Sequence, residues 1–313
     1  MAYRKGQGGA LSPATRITQE IIARLESGTR PWIKPWRGVP VSRPMRACGI
    51  PYRGMNVFWL WMVADMCGYA SPFWMTYNQA KELGAQVRKG EKSTIAIFYK
   101  SYTKEIEAPD SGEKSDEARR VLKAYPVFNA DQVEGLPERF HPAATLELTE
   151  PEGREQALDA FFAAIPATLR HQGDEAYYEP LADRVTMPPA HLFSGFNHYY
   201  ATLAHELSHW TGHSSRLARD LKNRFGTAAY AAEELVAELS SAMLGAELGL
   251  PVAHLDNHAS YIGNWLKLLK EDDRAILTAA AKAEEASSLL LKLGGRGVAD
   301  ATDEAAHDAA LAA

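Results

Sequence analysis

The sequence predicts an α+β chain of two domains, a small basic α+β domain followed by a larger, mostly helical one. Three observations carry this expectation. The chain has 313 residues, 46% hydrophobic and 23% charged, a composition ordinary for a globular protein and a length that suits two domains. Charge is split unevenly, with 15 Lys and Arg against 5 Asp and Glu in residues 1–103, and 19 against 34 in residues 104–313. Apolar periodicity also changes, from helices mixed with β-branched runs in the first half to a succession of helices in the second.

Residues 1–15 read as a flexible arm. Over Thr15–Glu26, the residues Ile17, Ile21, Ile22 and Leu25 fall on one helical face, and Ser27-Gly28 ends the helix. Pro31, Pro35, Pro40, Pro44 and Pro51 then keep the chain irregular. Helices are expected over Asn56–Cys67 and Tyr77–Leu83, and strands over Thr94–Tyr99 and Tyr125–Asn129. The polar stretch 103–118 is a hairpin tip or a linker, and Gln132–Phe140 a loop. A boundary near residue 145 gives domains of 16–145 and 146–293. The second opens with a helix over Arg154–Ala164 and has a strand at Val185–Pro188, read as the edge strand that would hold an extended peptide. Helices follow over 196–213, 227–248, 257–270 and 273–293. Residues 294–313, rich in Ala, Asp and Gly, read as a disordered tail.

Some classes are excluded. No run of about 18 apolar residues occurs, so no membrane helix and no membrane partner are expected. The charged, Gly-rich N-terminus lacks the apolar segment of a signal peptide. Cys48 and Cys67 are the two cysteines, which without such a signal fits reduced thiols in the cytoplasm.

The chemistry concentrates in His205-Glu206-Leu207-Ser208-His209, an H-E-x-x-H pattern. Residues four apart share a helical face, so both imidazoles can reach one metal ion. Zinc suits neutral imidazole and leaves a position open for water, with manganese possible, and Glu206 then lies beside that water as general base. A third ligand is needed. Six residues beyond His209 stands Ser215, not histidine. His213 lies about 12 Å of helical rise from His205 and could join only if the helix broke at Gly212. The next helix offers Glu233, Glu234 and Glu238. Glu234 is favoured as ligand, with Glu238 orienting His205 from behind.

The first domain has a different character. Five of the 7 tryptophans lie there, and Trp32-Ile33-Lys34-Pro35-Trp36-Arg37 alternates rings with cations. Arg53, Arg88, Lys89 and Lys92 add cations in loops. Rings that stack on unpaired bases, with cations along the backbone, are what single-stranded DNA requires. Trp32 and Trp36 are the candidates for exposure, while Trp59, Trp61 and Trp74 read as core. The other account of the charge split is that the basic and acidic halves dock on each other.

Two blocks resemble a known family. LESGTRPWIKPW, IPYRGMN and WMTYNQAKELGAQVRKGEKST resemble the N-terminal domain of the ArdC antirestriction proteins of conjugative plasmids, a domain related to one that opens some plasmid primases. YYATLAHELSHWTGHSSRL followed by YAAEELVAELSSAMLG resembles the zincin-like metallopeptidase domain of the same proteins. The likeness spans most of residues 15–270. It implies a single-stranded DNA-binding domain, a gluzincin-like peptidase acting on a protein substrate, and protection of incoming plasmid DNA during conjugation. By position it implies His205, His209 and Glu234 as metal ligands and Glu206 as the catalytic glutamate. It fixes no DNA-contacting residue. Two further readings stand beside it: a DNA-coating protein whose zincin fold is structural or inactive, and a metallopeptidase whose basic module binds its protein substrate.

Overall fold

The computed structural model describes residues 11–30, 32, 42–107, 114–141, 153–219, 227–250 and 259–297. Helix α1 (Pro13–Glu26) starts where the Ser12 hydroxyl accepts the Thr15 N–H, with Pro13 in the first turn, where its missing N–H costs nothing. It claims Pro13–Thr15 from the expected arm, whose residues 1–10 lie outside the described residues. Strand β1 (Met45–Arg46) leads to helix α2 (Met55–Cys67), which is buried continuously from Met55 to Met62. A helix apolar all round belongs at the centre of a domain, and α2 sits there. Then come β2 (Phe73–Met75), α3 (Tyr77–Glu82), β3 (Gln86–Val87), β4 (Thr94–Glu107), β5 (Lys114–Asn129) and β6 (Val133–Glu134).

The main sheet has the order β1-β2-β5-β4, and β3 pairs with β6. The strands expected at Thr94–Tyr99 and Tyr125–Asn129 are the base of a far longer hairpin, antiparallel from Thr94↔Val127 to Glu107↔Lys114. The polar stretch 103–118 is therefore hairpin and not linker, although 108–113 lie outside the described residues. Asn56 fastens α2 to this hairpin. Its amide donates to the Ile97 carbonyl at 2.8 Å and its carbonyl accepts the Ile97 N–H at 2.8 Å. The expected boundary near 145 also lies outside the described residues.

The second domain opens with α4 (Arg154–Ala163), then β7 (Thr168–His171), β8 (Tyr177–Glu179) and β9 (Arg184–Met187), followed by α5 (Phe196–Thr211), α6 (Ala228–Leu248), α7 (Ala259–Glu271) and α8 (Ala275–Leu293). The four helices agree with the sequence periodicity to within two residues, and residues 251–258 before α7 lie outside the described residues. The small sheet is different. Its order is β7-β9-β8, so the strand expected at an edge, Val185–Pro188, is the central one. The reason is burial: Val185, Thr186 and Met187 are all buried, and a strand covered on both flanks takes the middle. β7 and β8 were not foreseen, because β7 is exposed throughout and shows no alternation.

The two domains share one apolar core. Ile17, Ile21, Phe58 and Leu60 from the first domain are buried in the same cluster as Leu235, Leu239, Met243, Trp265 and Ala280 from α6, α7 and α8. Charge crosses the seam as well. The buried carboxylate of Glu284 on α8 accepts two contacts from Arg43 Nη1 at 2.8 and 2.9 Å, one from Arg53 Nε at 3.2 Å, and the Gly54 N–H at 3.0 Å. Gly54 holds φ at 55°, a left-handed backbone that suits glycine, to aim that N–H. Among the described residues no helix is long and apolar enough to cross a membrane. Removing the shared carboxylate takes that ion pair from Arg53 and leaves the buried Arg43 with Glu247 alone, so Glu284→Ala is expected to lower stability by about 3 kcal/mol. The urea midpoint of the full chain reads this directly, and an unchanged midpoint would contradict the role given to Glu284.

Candidate metal centre

Helix α5 places His205 and His209 one turn apart, and α6 lies against it. Small residues allow the close approach: Ser208 Oγ and Ser240 Oγ hydrogen-bond across the helix pair at 2.9 Å, among buried Ala204 and Ala237. One turn of α5 sets the Nε2 atoms of His205 and His209 3.2 Å apart, and the close approach of α6 brings each to 3.6 Å from an oxygen of Glu234. Tetrahedral zinc with bonds of about 2.0–2.1 Å needs neighbouring donors about 3.3 Å apart. The three spacings therefore frame one divalent ion, and two imidazoles with a carboxylate are donors zinc and manganese both accept. His205, His209 and Glu234 form the one such group found among the described residues.

The alternatives for a third ligand fall elsewhere. The helix does end at Thr211, capped by Gly212, yet His213 turns to Ser215, with Nδ1 at 2.8 Å from the serine Oγ. Glu233 faces the back of His209, its Oε1 at 3.2 Å from Nδ1. Glu238 stands behind His205 at 3.9 Å from Nδ1, on the expected imidazole but beyond a direct hydrogen bond. So the carboxylate closest to a ligand's outer nitrogen is Glu233, a role the sequence reading did not give it.

Both rear carboxylates are themselves held. Arg219 donates to Glu233 from Nε at 3.0 Å and Nη2 at 2.9 Å, and to the end of α5 at Thr211 Oγ1, 2.9 Å. Arg30, from the first domain, donates to Glu238 Oε1 at 3.2 Å. Tyr230 and Tyr261 complete the surroundings, with hydroxyls 3.2 Å apart and Tyr230 hydrogen-bonded to Glu234. None of Arg30, Arg219, Tyr230 or Tyr261 carries a sequence signal, apart from Tyr230 lying one helical turn before Glu234.

Burial sets the titration of the cluster. Desolvation raises the Glu206 carboxyl above its ordinary value, partly offset by both histidines and by the Tyr178 backbone N–H of β8. Desolvation also pulls the imidazoles down, but Glu234 and Glu206 together lift His205, as Glu234 and Glu233 lift His209, and both end above the ordinary value. Glu234, though buried, is held well below the usual carboxylate range by His209 and His205. The Tyr261 hydroxyl is raised by burial, with Glu234 and Glu206 adding to it. Glu206 thus sits between the donor set and the β8 edge.

The expected DNA contacts separate. Trp32 is 1% exposed and packs edge-to-face on Trp265 at 5.4 Å, which corrects the expectation that it is open to stack on bases. Its ring fills the seam between the domains. Lys34, Trp36 and Arg37 lie outside the described residues. Arg53 is committed to Glu284, because a buried carboxylate must be answered by cations. Arg88 is exposed but bonded to Glu91 at 2.7 Å, and Lys89 and Lys92 are exposed. Trp59, Trp61 and Trp74 are buried, as read. Arg30, Arg43 and Arg53 all pair with acidic residues of the second domain, so part of the charge split is spent on docking the two halves.

Comparison with known proteins agrees with both halves. Residues 12–128 match the family model for the N-terminal domain of anti-restriction factor ArdC, and residues 156–282 that for a zincin-like metallopeptidase. The uncharacterized protein y4eC of Sinorhizobium fredii is 41% identical over 86% of this chain and 88% of its own length. A DNA primase TraC of Escherichia coli is 38% identical over 95% of this chain, which spans 29% of the primase. The crystal structure of the antirestriction ArdC protein from plasmid R388 superposes with a TM-score of 0.76 in its metal-free form, at 44% identity, covering 91% of this chain and 98% of that one. The Mn(II)-bound form of that protein superposes with a TM-score of 0.74, at 43% identity and the same coverage. The chain belongs to the ArdC antirestriction family, with an ArdC-type N-terminal domain followed by a zincin-like metallopeptidase domain.

Proposed function

We propose that this chain binds single-stranded DNA through its first domain, protects incoming plasmid DNA during conjugation, and carries an active metal-dependent peptidase in its second. The observation that supports the peptidase is Glu206. A metal site that only braces a fold needs ligands, yet here a buried carboxyl with a raised pKa stands beside the donor set of His205, His209 and Glu234. A divalent ion held there, zinc or manganese, would supply Lewis acidity, polarising a peptide carbonyl and bringing the pKa of a water to about 7. Glu206 takes the proton of the attacking water and delivers it to the leaving amine. β8, an edge strand whose Tyr178 N–H reaches Glu206, is the strand on which an extended peptide would lie. Arg219 and Glu233 hold the His209 ring from its Nδ1 side, which would leave Nε2 free to take an ion.

DNA binding rests on the family and on the charge left over after docking. Arg88, Lys89 and Lys92 cluster in one exposed turn of the first domain. One observation favours the second reading, a zincin fold that serves as a brace: α6 supplies Glu234 and also packs in the core that holds α1 and α2. If protection survives Glu206→Gln, peptidase activity is dispensable for it. A protein-binding role for the basic module predicts no affinity for single-stranded DNA.

Three outcomes are expected. Glu206→Gln keeps the fold and the metal affinity and lowers proteolysis about 10²–10⁴-fold; undiminished cleavage would show that the base is another group. Glu233→Gln weakens metal binding about 10-fold or more by calorimetry, and more than Glu238→Gln does, because Glu233 is the nearer carboxylate. Equal effects would remove that distinction. Metal affinity falls as pH falls. Both imidazoles have raised pKa values without metal, so protons compete from above the ordinary histidine value downward, and affinity is full only above that range. A flat profile between about pH 8 and pH 6 would contradict imidazole ligation.

A further inference from the structure

With Trp32 buried, an unpaired base must find another aromatic surface on the first domain. One is present. A cavity of about 260 Å³ opens between α1, α2 and the start of β4. Its wall includes Trp59, Tyr69, Trp74 and Met66, and its rim includes Arg16 and Lys92. Tyr69, half-buried, meets the 1% exposed Trp74 edge-to-face at 6.0 Å and 73°, and Trp59 is 4% exposed, so the Tyr69 ring is the aromatic surface on offer. Met66, 51% exposed, forms an apolar lip.

We propose that this cavity is a nucleotide subsite, taking one unstacked base of a single strand with its phosphate on the Arg16 and Lys92 rim. The proposal rests on the single-stranded DNA reading and gives it a place. Three features argue for that occupant. The volume is just below the roughly 300–1,000 Å³ of pockets for drug-sized ligands, which suits a single ring system. Lys92 of the rim ends the exposed turn Arg88–Lys92, which also carries the exposed Lys89, whereas Arg30, Arg43 and Arg53 are spent on carboxylates of the second domain. The polar groups of the wall are already engaged: the Trp59 indole N–H donates to the Ile95 carbonyl at 2.9 Å, and the Gln132 amide donates to Glu91 and to the Lys92 carbonyl at 3.0 Å. What a base meets is the half-buried Tyr69 ring, the exposed Met66 thioether and the rim cations. Such a surface accepts any base, because every base has a π-face. Glu20 is the one acidic lining residue and offers an acceptor to an exocyclic amino group. Duplex DNA cannot use the site, since its bases are stacked and paired.

The test uses the full chain, because α1 and α2 share their core with α6–α8. An oligo(dT) bearing one 5-iodouracil is irradiated on the protein, and the adduct is located by mass spectrometry. The expected adducts are on Tyr69, Trp59 or Met66. In parallel, Tyr69→Ala and Met66→Gln are each expected to weaken oligo(dT) binding about tenfold or more while changing duplex affinity little, with Lys92→Glu weakening both. Met66 is exposed, so its variant tests the cavity even if Tyr69→Ala fails to fold. Adducts confined elsewhere, with oligo(dT) binding unchanged in Met66→Gln, would overturn the subsite and leave single-stranded DNA binding standing. No oligo(dT) binding by the unaltered chain would overturn both.

Discussion

Buried carboxylates on α6 and α8 govern this structure, because each must be answered by a cation or by a metal-directed imidazole. Glu284 on α8 draws in Arg43 and Arg53, Glu238 on α6 draws in Arg30, and Glu233 draws in Arg219. Glu234 faces His205 and His209. A lone buried carboxylate costs several kcal/mol, so these contacts constrain where the first domain sits. α6, which carries Glu234 of the candidate metal centre, is thereby also one of the two helices that hold the basic domain in place.

The consequence for function is a division of charge. Arginines of the first domain near the seam are consumed by docking, while Arg16, Lys81, Lys89, Lys92, Lys123 and Arg139 stay exposed. The positive charge that can steer a polyanion is this remainder and not the whole excess. At the metal centre the division works in the other direction. Glu234 is held ionised by two imidazoles, while Glu206, with fewer compensating contacts, has its carboxyl pushed up. Two buried carboxyls about one site are so driven apart in protonation by their neighbours, the separation that the proposed tasks of ligand and base require.

Much of the centre was legible because its geometry is local. The spacing of His205 and His209 is a property of one helical turn, and any chain that makes α5 helical places both imidazoles on one face. Glu234 was legible with more effort, since choosing among Glu233, Glu234 and Glu238 requires the rotation of α6 about its axis. That rotation is set by packing, and it turned Glu233 to His209. Arg219 and Tyr261 left no trace in spacing, since each reaches the site from another segment, whereas Tyr230 lies one turn before Glu234 on α6. Trp32 misled for the same reason: in a Pro-rich loop beside cations it reads as exposed, and only its contact with Trp265 on α7 buries it.

The sequence by itself determined the two-domain α+β class, the helices of the second domain, the bulk of the first domain's elements and the paired histidines. These follow from periodicity, capping and charge, all of which act over a few residues. Tertiary structure decided the shared core, the length of the β4–β5 hairpin, the central place of β9, the rear partners of the imidazoles and the aromatic surface left open. Those depend on which distant segments meet, and apolar burial and charge pairing reward such meetings without leaving a local pattern in the chain.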